Sequence, residues 1–127
     1  MAQLLLIEPD DQLADDYTTA LVYVGHRVSR VSGAQEAISA ADKVQPHLVI
    51  MEIQLANHNG VEFLYEFRSY PEWQNIPVVI LSMIPPTEFK QATSLWKELC
   101  VYAYHYKPRT TLSQLIASVD GLVSVAA

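Results

Sequence analysis

The chain has 127 residues, half of them hydrophobic, with 14 acidic side chains against 8 lysines and arginines and a net charge of −6. That length and apolar content suit one domain with one proper core, and they exclude a disordered chain. No Lys/Arg cluster is present, which argues against direct nucleic-acid binding and against docking on anionic lipid.

Leu4 to Ile7 is a short apolar run ended by Glu8-Pro9 and predicts a first strand. Leu13, Tyr17, Leu21 and Val24 then recur at helical spacing, and Gly25 is placed to end that helix. Arg27 to Val31 reads as a second strand. Ser32-Gly33-Ala34-Gln35 has a capping-box pattern opening a second helix, with Ala34, Ala37, Ile38, Ala41 and Val44 inward and Pro46 as its stop. Leu48 to Ile53 is a third, mostly apolar strand. Asn59-Gly60-Val61-Glu62 caps a third helix carrying Val61, Leu64 and Phe67. A loop from Ser69 to Asn75 leads to a fourth strand, Pro77 to Ser82, which Pro85-Pro86 interrupts. Phe89, Ala92, Leu95, Trp96 and Leu99 line a fourth helix. Val101 to Tyr106 is a fifth strand ended by Lys107-Pro108, and Thr111 with Gln114 caps a last helix with Leu112, Leu115, Ile116 and Val119 inward.

Five strand–helix rounds imply an α/β fold, (βα)5, with a doubly wound parallel sheet and helices on both faces, because parallel strands need right-handed crossovers. Periodicity leaves the strand order open between the two common arrangements. Both place ligands beyond the carboxyl ends of the strands. No linker, repeat or low-complexity stretch divides residues 1–127, which read as a single domain. Cys100 is the lone cysteine, so no intrachain disulfide forms, and its expected role is that of a small buried hydrophobe. With no signal peptide and no apolar run of the roughly 20 residues a membrane helix needs, the expected location is cytoplasmic.

The predicted strand ends carry Glu8-Pro9-Asp10-Asp11, then Glu52, then Ser82, then Lys107. Acids, a hydroxyl and an ammonium at successive strand ends suit phosphoryl handling. Carboxylates hold a hard cation or accept a phosphoryl group, whose oxygens a hydroxyl and an ammonium then bind.

The runs LLLIEPDD, VIMEIQLANHNG, VVILS and YHYKP, in that order over residues 3 to about 122, resemble the response-regulator receiver domain. The resemblance implies a CheY-like, flavodoxin-like sheet of order 2-1-3-4-5. It implies Glu52 at the phospho-acceptor position, Ser82 and Lys107 at the phosphoryl-binding positions, and Glu8 with Asp10 in the acidic pocket. Tyr104 falls at the switch aromatic, and Pro108 follows the lysine as a cis-prone proline.

The match is broken in three places. Glu52 stands where the family carries aspartate, and its carboxylate reaches roughly 1.5 Å further, enough to spoil in-line transfer geometry. Pro9 stands at the main metal-ligating aspartate and offers no side-chain oxygen; Asp10 is better placed to cap the first helix. Ala56 replaces a proline common in the loop after the acceptor. An engineered phosphomimetic would explain Glu52 but not Pro9, so the pair points to natural loss of phosphorylation. The expectation is a pseudo-receiver with no catalytic residue, no metal ligand set and magnesium weak or absent. Lys107 is then expected to pair with Glu52 and neutralise the pocket.

Tyr102, Tyr104 and Tyr106 alternate along the fifth strand. They make either packing beneath the last helix or a protein-partner surface with the fourth helix, fifth strand and fifth helix, where a homodimer is also open to the chain. Met83-Ile84-Pro85-Pro86 reads either as a stiffened switch loop or as a helix start. Trp73 and Trp96 are expected to be packing residues, and His26, His47, His58 and His105 lack metal-ligand spacing. Three functions compete: a phosphorylation-independent interaction module, a magnesium-dependent receiver phosphorylated at or near Glu52, and an unrelated α/β enzyme. Against the last, no phosphate loop, nucleophile elbow or dinucleotide fingerprint is present.

Overall fold

The computed structural model describes residues 2–56, 59–89 and 93–126, with side chains through 123. Five parallel strands alternate with five helices. The strands are β1 (Gln3–Ile7), β2 (Arg27–Val31), β3 (Leu48–Met51), β4 (Val78–Ser82) and β5 (Val101–Tyr106). The helices are α1 (Asp11–Tyr23), α2 (Ala34–Lys43), α3 (Gly60–Arg68), α4 (Thr93–Glu98) and α5 (Leu112–Ala126). The sheet order is β2-β1-β3-β4-β5, as expected of the resemblance. Every residue of β3 and β4 is buried, while the edge strands β2 and β5 are mostly half-buried. That is the pattern of a parallel sheet covered on both faces.

Alternate residues of each central strand feed opposite cores. Leu5, Ile7, Val49, Met51, Val78 and Ile80 pack under α2, α3 and α4 with Phe63, Phe67 and Trp73. Leu4, Leu6, Leu48, Ile50, Val79 and Leu81 pack under α1 and α5 with Tyr17, Leu21, Leu115 and Val119. Among the described residues no helix is long and apolar enough to cross a membrane.

Local chemistry sets the helix ends. Asp10 Oδ1 accepts from the Leu13 N–H at 2.9 Å and caps α1. At the other end Gly25 adopts φ +102°, and its N–H and that of His26 close back on Val22 O and Leu21 O. This double closure is a Schellman motif and needs the left-handed residue that glycine supplies. Asn59 caps α3 by accepting from the Glu62 N–H. Thr111 and Gln114 exchange two bonds at the start of α5.

Several expectations shift. The cap of α2 is Gly33 without a side-chain bond, not a Ser32–Gln35 box. Val24, Val44 and Leu112 were expected inward but are 42%, 52% and 43% exposed, because each sits on an end turn beyond the sheet. β3 stops at Met51, two residues early. The fourth helical stretch is a 3-10 turn, Pro86–Phe89, and a six-residue α4. Ala92 and His58 lie outside the described residues. Cys100 is only half-buried and sits in a turn with φ 57°, so it is no core residue. No described peptide bond is cis, including Lys107–Pro108.

One irregularity marks the β4–β5 pairing. Val78 pairs with Val101 but Val79 with Ala103, so Tyr102 is an extra residue, a β-bulge. The bulge inverts the alternation: Val101 and Tyr104 both pack on the α2–α4 side and Ala103 on the other. Tyr102 is left 63% exposed, out of line with Tyr104. The three tyrosines therefore do not form one regular face.

Candidate functional site

Four of the residues singled out from the sequence converge at the carboxyl ends of β1, β3, β4 and β5. Glu8, Glu52 and Ser82 are 2%, 4% and 0% exposed, so their polar atoms must be satisfied within the protein. Glu52 directly follows β3, and its N–H still donates to Ile7 O at 3.0 Å, which fixes its backbone beside β1. The turn after it is held by Gly60, whose N–H reaches Ile53 O at 2.6 Å. A Cβ on residue 60 would lie 2.8 Å from Ile53 Cα, so only glycine fits.

Both oxygens of Glu52 are fully engaged. Oε1 accepts from Lys107 Nζ at 2.7 Å and from the Met83 N–H at 3.0 Å. Oε2 accepts from the Gln54 N–H at 3.0 Å and from the Ser82 hydroxyl. A carboxylate has about four acceptor sites, and four donors occupy them here. Burial alone would push the Glu52 carboxyl up. The bonds from Gln54, Lys107, Ser82 and Met83 outweigh it and hold the group below the ordinary range.

Lys107 is shared. Its Nζ lies 2.8 Å from Glu8 Oε1 and 2.7 Å from Glu52 Oε1, with the lysine side chain only 6% exposed. The expected Lys107–Glu52 pair is therefore present, with Glu8 as a second partner that sequence reasoning missed. Glu8 Oε2 also accepts from the Asp10 N–H at 3.1 Å. Asp10 thus enters the pocket through its backbone, while its exposed carboxylate caps α1. Pro9 brings no side-chain oxygen. Among the described residues no group of three or more His, Cys, Asp or Glu could hold a metal ion.

The pocket continues outward through β4. Ser82 Oγ accepts from the Ile84 N–H at 3.0 Å, and Ile84 O accepts from the Tyr104 hydroxyl at 2.7 Å. The Tyr104 ring packs against Phe89 and Trp96 at 6.0 and 5.9 Å between centroids. Burial, with the Glu52 charge nearby, pushes the Tyr104 hydroxyl up. Among the described residues neither the Tyr102 nor the Tyr106 hydroxyl bonds to the pocket. Tyr17 on α1 was expected only as core; burial and then the charges of Glu8 and Glu52 push its hydroxyl to about 12.

Arg30 on β2 was also missed. Its guanidinium donates to Glu8 O at 3.1 and 2.7 Å, to Pro9 O at 3.4 Å and to Asp11 Oδ1 at 2.9 Å, clamping the β1–α1 turn.

A family model described as response regulator receiver domain matches residues 4–96. Over 82 residues the chain is 29% identical to the KDP operon transcriptional regulatory protein KdpE of Escherichia coli (strain K12), covering 65% of this chain and 35% of that protein. Over 91 residues it is 26% identical to protein RcaC of Microchaete diplosiphon, covering 71% of this chain and 14% of that one. The chain thus spans about a third or less of these curated relatives. A sensor protein from Polaromonas sp. JS666 superposes with TM-score 0.87 at 19% identity over 98% of both chains. The chemotaxis response regulator CheY4 of Vibrio cholerae does so with TM-score 0.83 at 18% identity, over 96% of this chain and 98% of that one. At such identities the superpositions speak to the fold.

Proposed function

The chain belongs to the response regulator receiver family of two-component signalling, and we propose that it works without phosphorylation, as a non-enzymatic module acting by contact with a protein partner. One observation carries this: the Glu52 carboxylate is saturated by Lys107, Ser82 and the N–H groups of Gln54 and Met83. To accept a phosphoryl group, one oxygen would have to leave two donors inside a buried site, and those donors would have to find new acceptors. The same donors hold Met83 and Ile84, and through them Tyr104, in one arrangement. On this reading Glu52 is a permanent internal anion, though it lacks the second charge and third oxygen of a phosphoryl group.

Magnesium fits the residues poorly. Pro9 supplies no oxygen, the Asp10 carboxylate caps α1, and Glu8 and Glu52 already share an ammonium. The reading therefore needs no cofactor. The partner surface is assigned to the face of α4, β5 and α5, with Tyr102 exposed upon it and Tyr104 half-buried behind it; a homodimer through that face is one form of it. An acidic chain with no basic cluster is read as binding neither nucleic acid nor membrane, in the cytoplasm.

The test is incubation with magnesium and a small phosphodonor, followed by intact mass. No added phosphoryl group is expected. An adduct that disappears in Glu52→Gln would overturn the proposal in favour of an active receiver.

A further inference from the structure

A cavity of about 440 Å³ opens at the amino ends of β1, β3 and β4, at the opposite end of the sheet from Glu52. We infer that it binds a small aromatic amine, a flat ring carrying a positively charged nitrogen. The volume falls within the roughly 300–1,000 Å³ of small-molecule sites. Its walls are apolar: Ala2, Pro46, Ile76 and Pro77 are buried there, and Pro71 adds to the lining. Proline rings and a branched aliphatic chain give an aromatic ring broad apolar contact.

The polar groups select the sign of the ligand. Unpaired N–H groups at the amino ends of strands would favour an anion. Here Pro46 and Pro77 have none, the Ala2 N–H donates to His26 Nδ1 at 3.3 Å, and the Gln3 N–H donates to His47 Nδ1 at 2.8 Å. Glu72 brings the one carboxylate of the lining, against no lysine or arginine. Among the described residues that carboxylate has no ion-pair partner, so an ammonium is its natural complement. His47 is fixed twice, since its own N–H donates to Gln3 O at 2.8 Å. With Nδ1 accepting, its ring carries the proton on Nε2 and can donate to a hydroxyl oxygen. The site is also built in advance. Arg68 donates to Trp73 O and Ile76 O at 2.6 Å each, and Gln45 Nε2 reaches across to Glu72 O at 3.4 Å. Binding therefore costs little ordering of the walls.

The inference is independent of Glu52, and its test involves no phosphodonor. The probes are tyramine, p-cresol and 4-hydroxyphenylacetate, which share one ring and are a cation, a neutral molecule and an anion at neutral pH. Each is titrated into the isotope-labelled protein, and backbone amide shifts are followed. Tyramine should give saturable shifts centred on Gln3, His47, Glu72, Asn75 and Ile76, with Kd on the order of 10⁻³ M. It should bind about threefold more tightly than p-cresol, with 4-hydroxyphenylacetate weakest. Glu72→Gln, at an exposed position, should bring tyramine down to the affinity of p-cresol and leave p-cresol unchanged. Added salt should narrow the same gap. No saturable shift at these amides for tyramine overturns the inference, as does an anion that binds as tightly or an order that survives Glu72→Gln. Shifts at the same amides on raising the protein concentration alone would assign the cavity to a second copy of the chain and overturn it too.

Discussion

Replacing Glu52 by glutamine should destabilise the protein by about 3–6 kcal/mol. Glutamine keeps the shape and one acceptor oxygen but puts an NH2 group where the other oxygen stood. In one orientation that group faces Lys107 and the Met83 N–H; in the other it faces Ser82 and the Gln54 N–H. In the first case two bonds are lost. In the second the Gln54 N–H is stranded while the Ser82 hydroxyl can turn to accept from the NH2, but the bonds from Lys107 and Met83 lose the carboxylate's charge. Either way the cost is about that of two charged bonds. Hydrogen bonds to a charged group contribute about 1.5–3 kcal/mol each, which gives the range stated. Lys107 retains Glu8 at 2.8 Å, so its own charge is not stranded. Against a typical total of about 5–15 kcal/mol the loss is large. Urea unfolding at pH 7 would show it as a lower midpoint with an unchanged slope. The sign of the pH dependence follows from the depressed Glu52 carboxyl. Its contribution is complete above the ordinary value of 4.5 and is lost as pH falls through the lower folded value. The gap between wild type and variant should therefore narrow in acid. A gap under about 1 kcal/mol at pH 7, or one that widens in acid, would refute four-donor stabilisation.

Glu52→Asp alone should remain unlabelled by a phosphodonor, whereas Pro9→Asp with Glu52→Asp should label in a magnesium-dependent way; intact mass decides both. Arg68→Met should cost about 2–4 kcal/mol in thermal or urea unfolding, because that side chain donates to the carbonyls of Leu99, Trp73 and Ile76 at 2.9, 2.6 and 2.6 Å. A loss within 0.5 kcal/mol, the usual scatter of surface substitutions, would count against it. Gly60→Ala should cost roughly 1–3 kcal/mol from overpacking, since its Cβ would meet Ile53 Cα and Met51 Cε at 2.8 Å; a neutral result in the same assay refutes the close approach. In an ultraviolet pH titration one tyrosine should ionise only near pH 12, and Tyr17→Phe should remove that step.

The strands were legible because β1, β3 and β4 are buried on both faces and so read as unbroken apolar runs. Their ends were less so. β3 and the following turn share an apolar pattern through Ile53, which is buried but no longer paired as strand. The α2 cap was misread by one residue: Gly33 takes the position, and Glu36 folds back over it, its carboxylate 2.8 Å from where a Cβ would be. In the pocket, the side chains at strand ends could be seen in advance, but the N–H groups of Gln54 and Met83 could not. Main-chain donors leave no mark in residue identity. Arg68 escaped notice for a related reason, since among the described residues its hydrogen bonds all go to main-chain carbonyls.

The extra residue in β5 bears on how that edge can meet another molecule. A free sheet edge is an open template, and a strand laid along it adds backbone bonds without regard to sequence. In β5 the ladder slips at Tyr102, so an incoming strand would have to slip with it and would find only Ala103 to Tyr106 in regular register. The same slip pushes an aromatic ring outward, 63% exposed. The edge therefore discourages indiscriminate strand addition, with its risk of fibrous self-assembly, while displaying a side chain that a shaped partner can grip. Recognition there is by fit to a ring rather than by extension of the sheet.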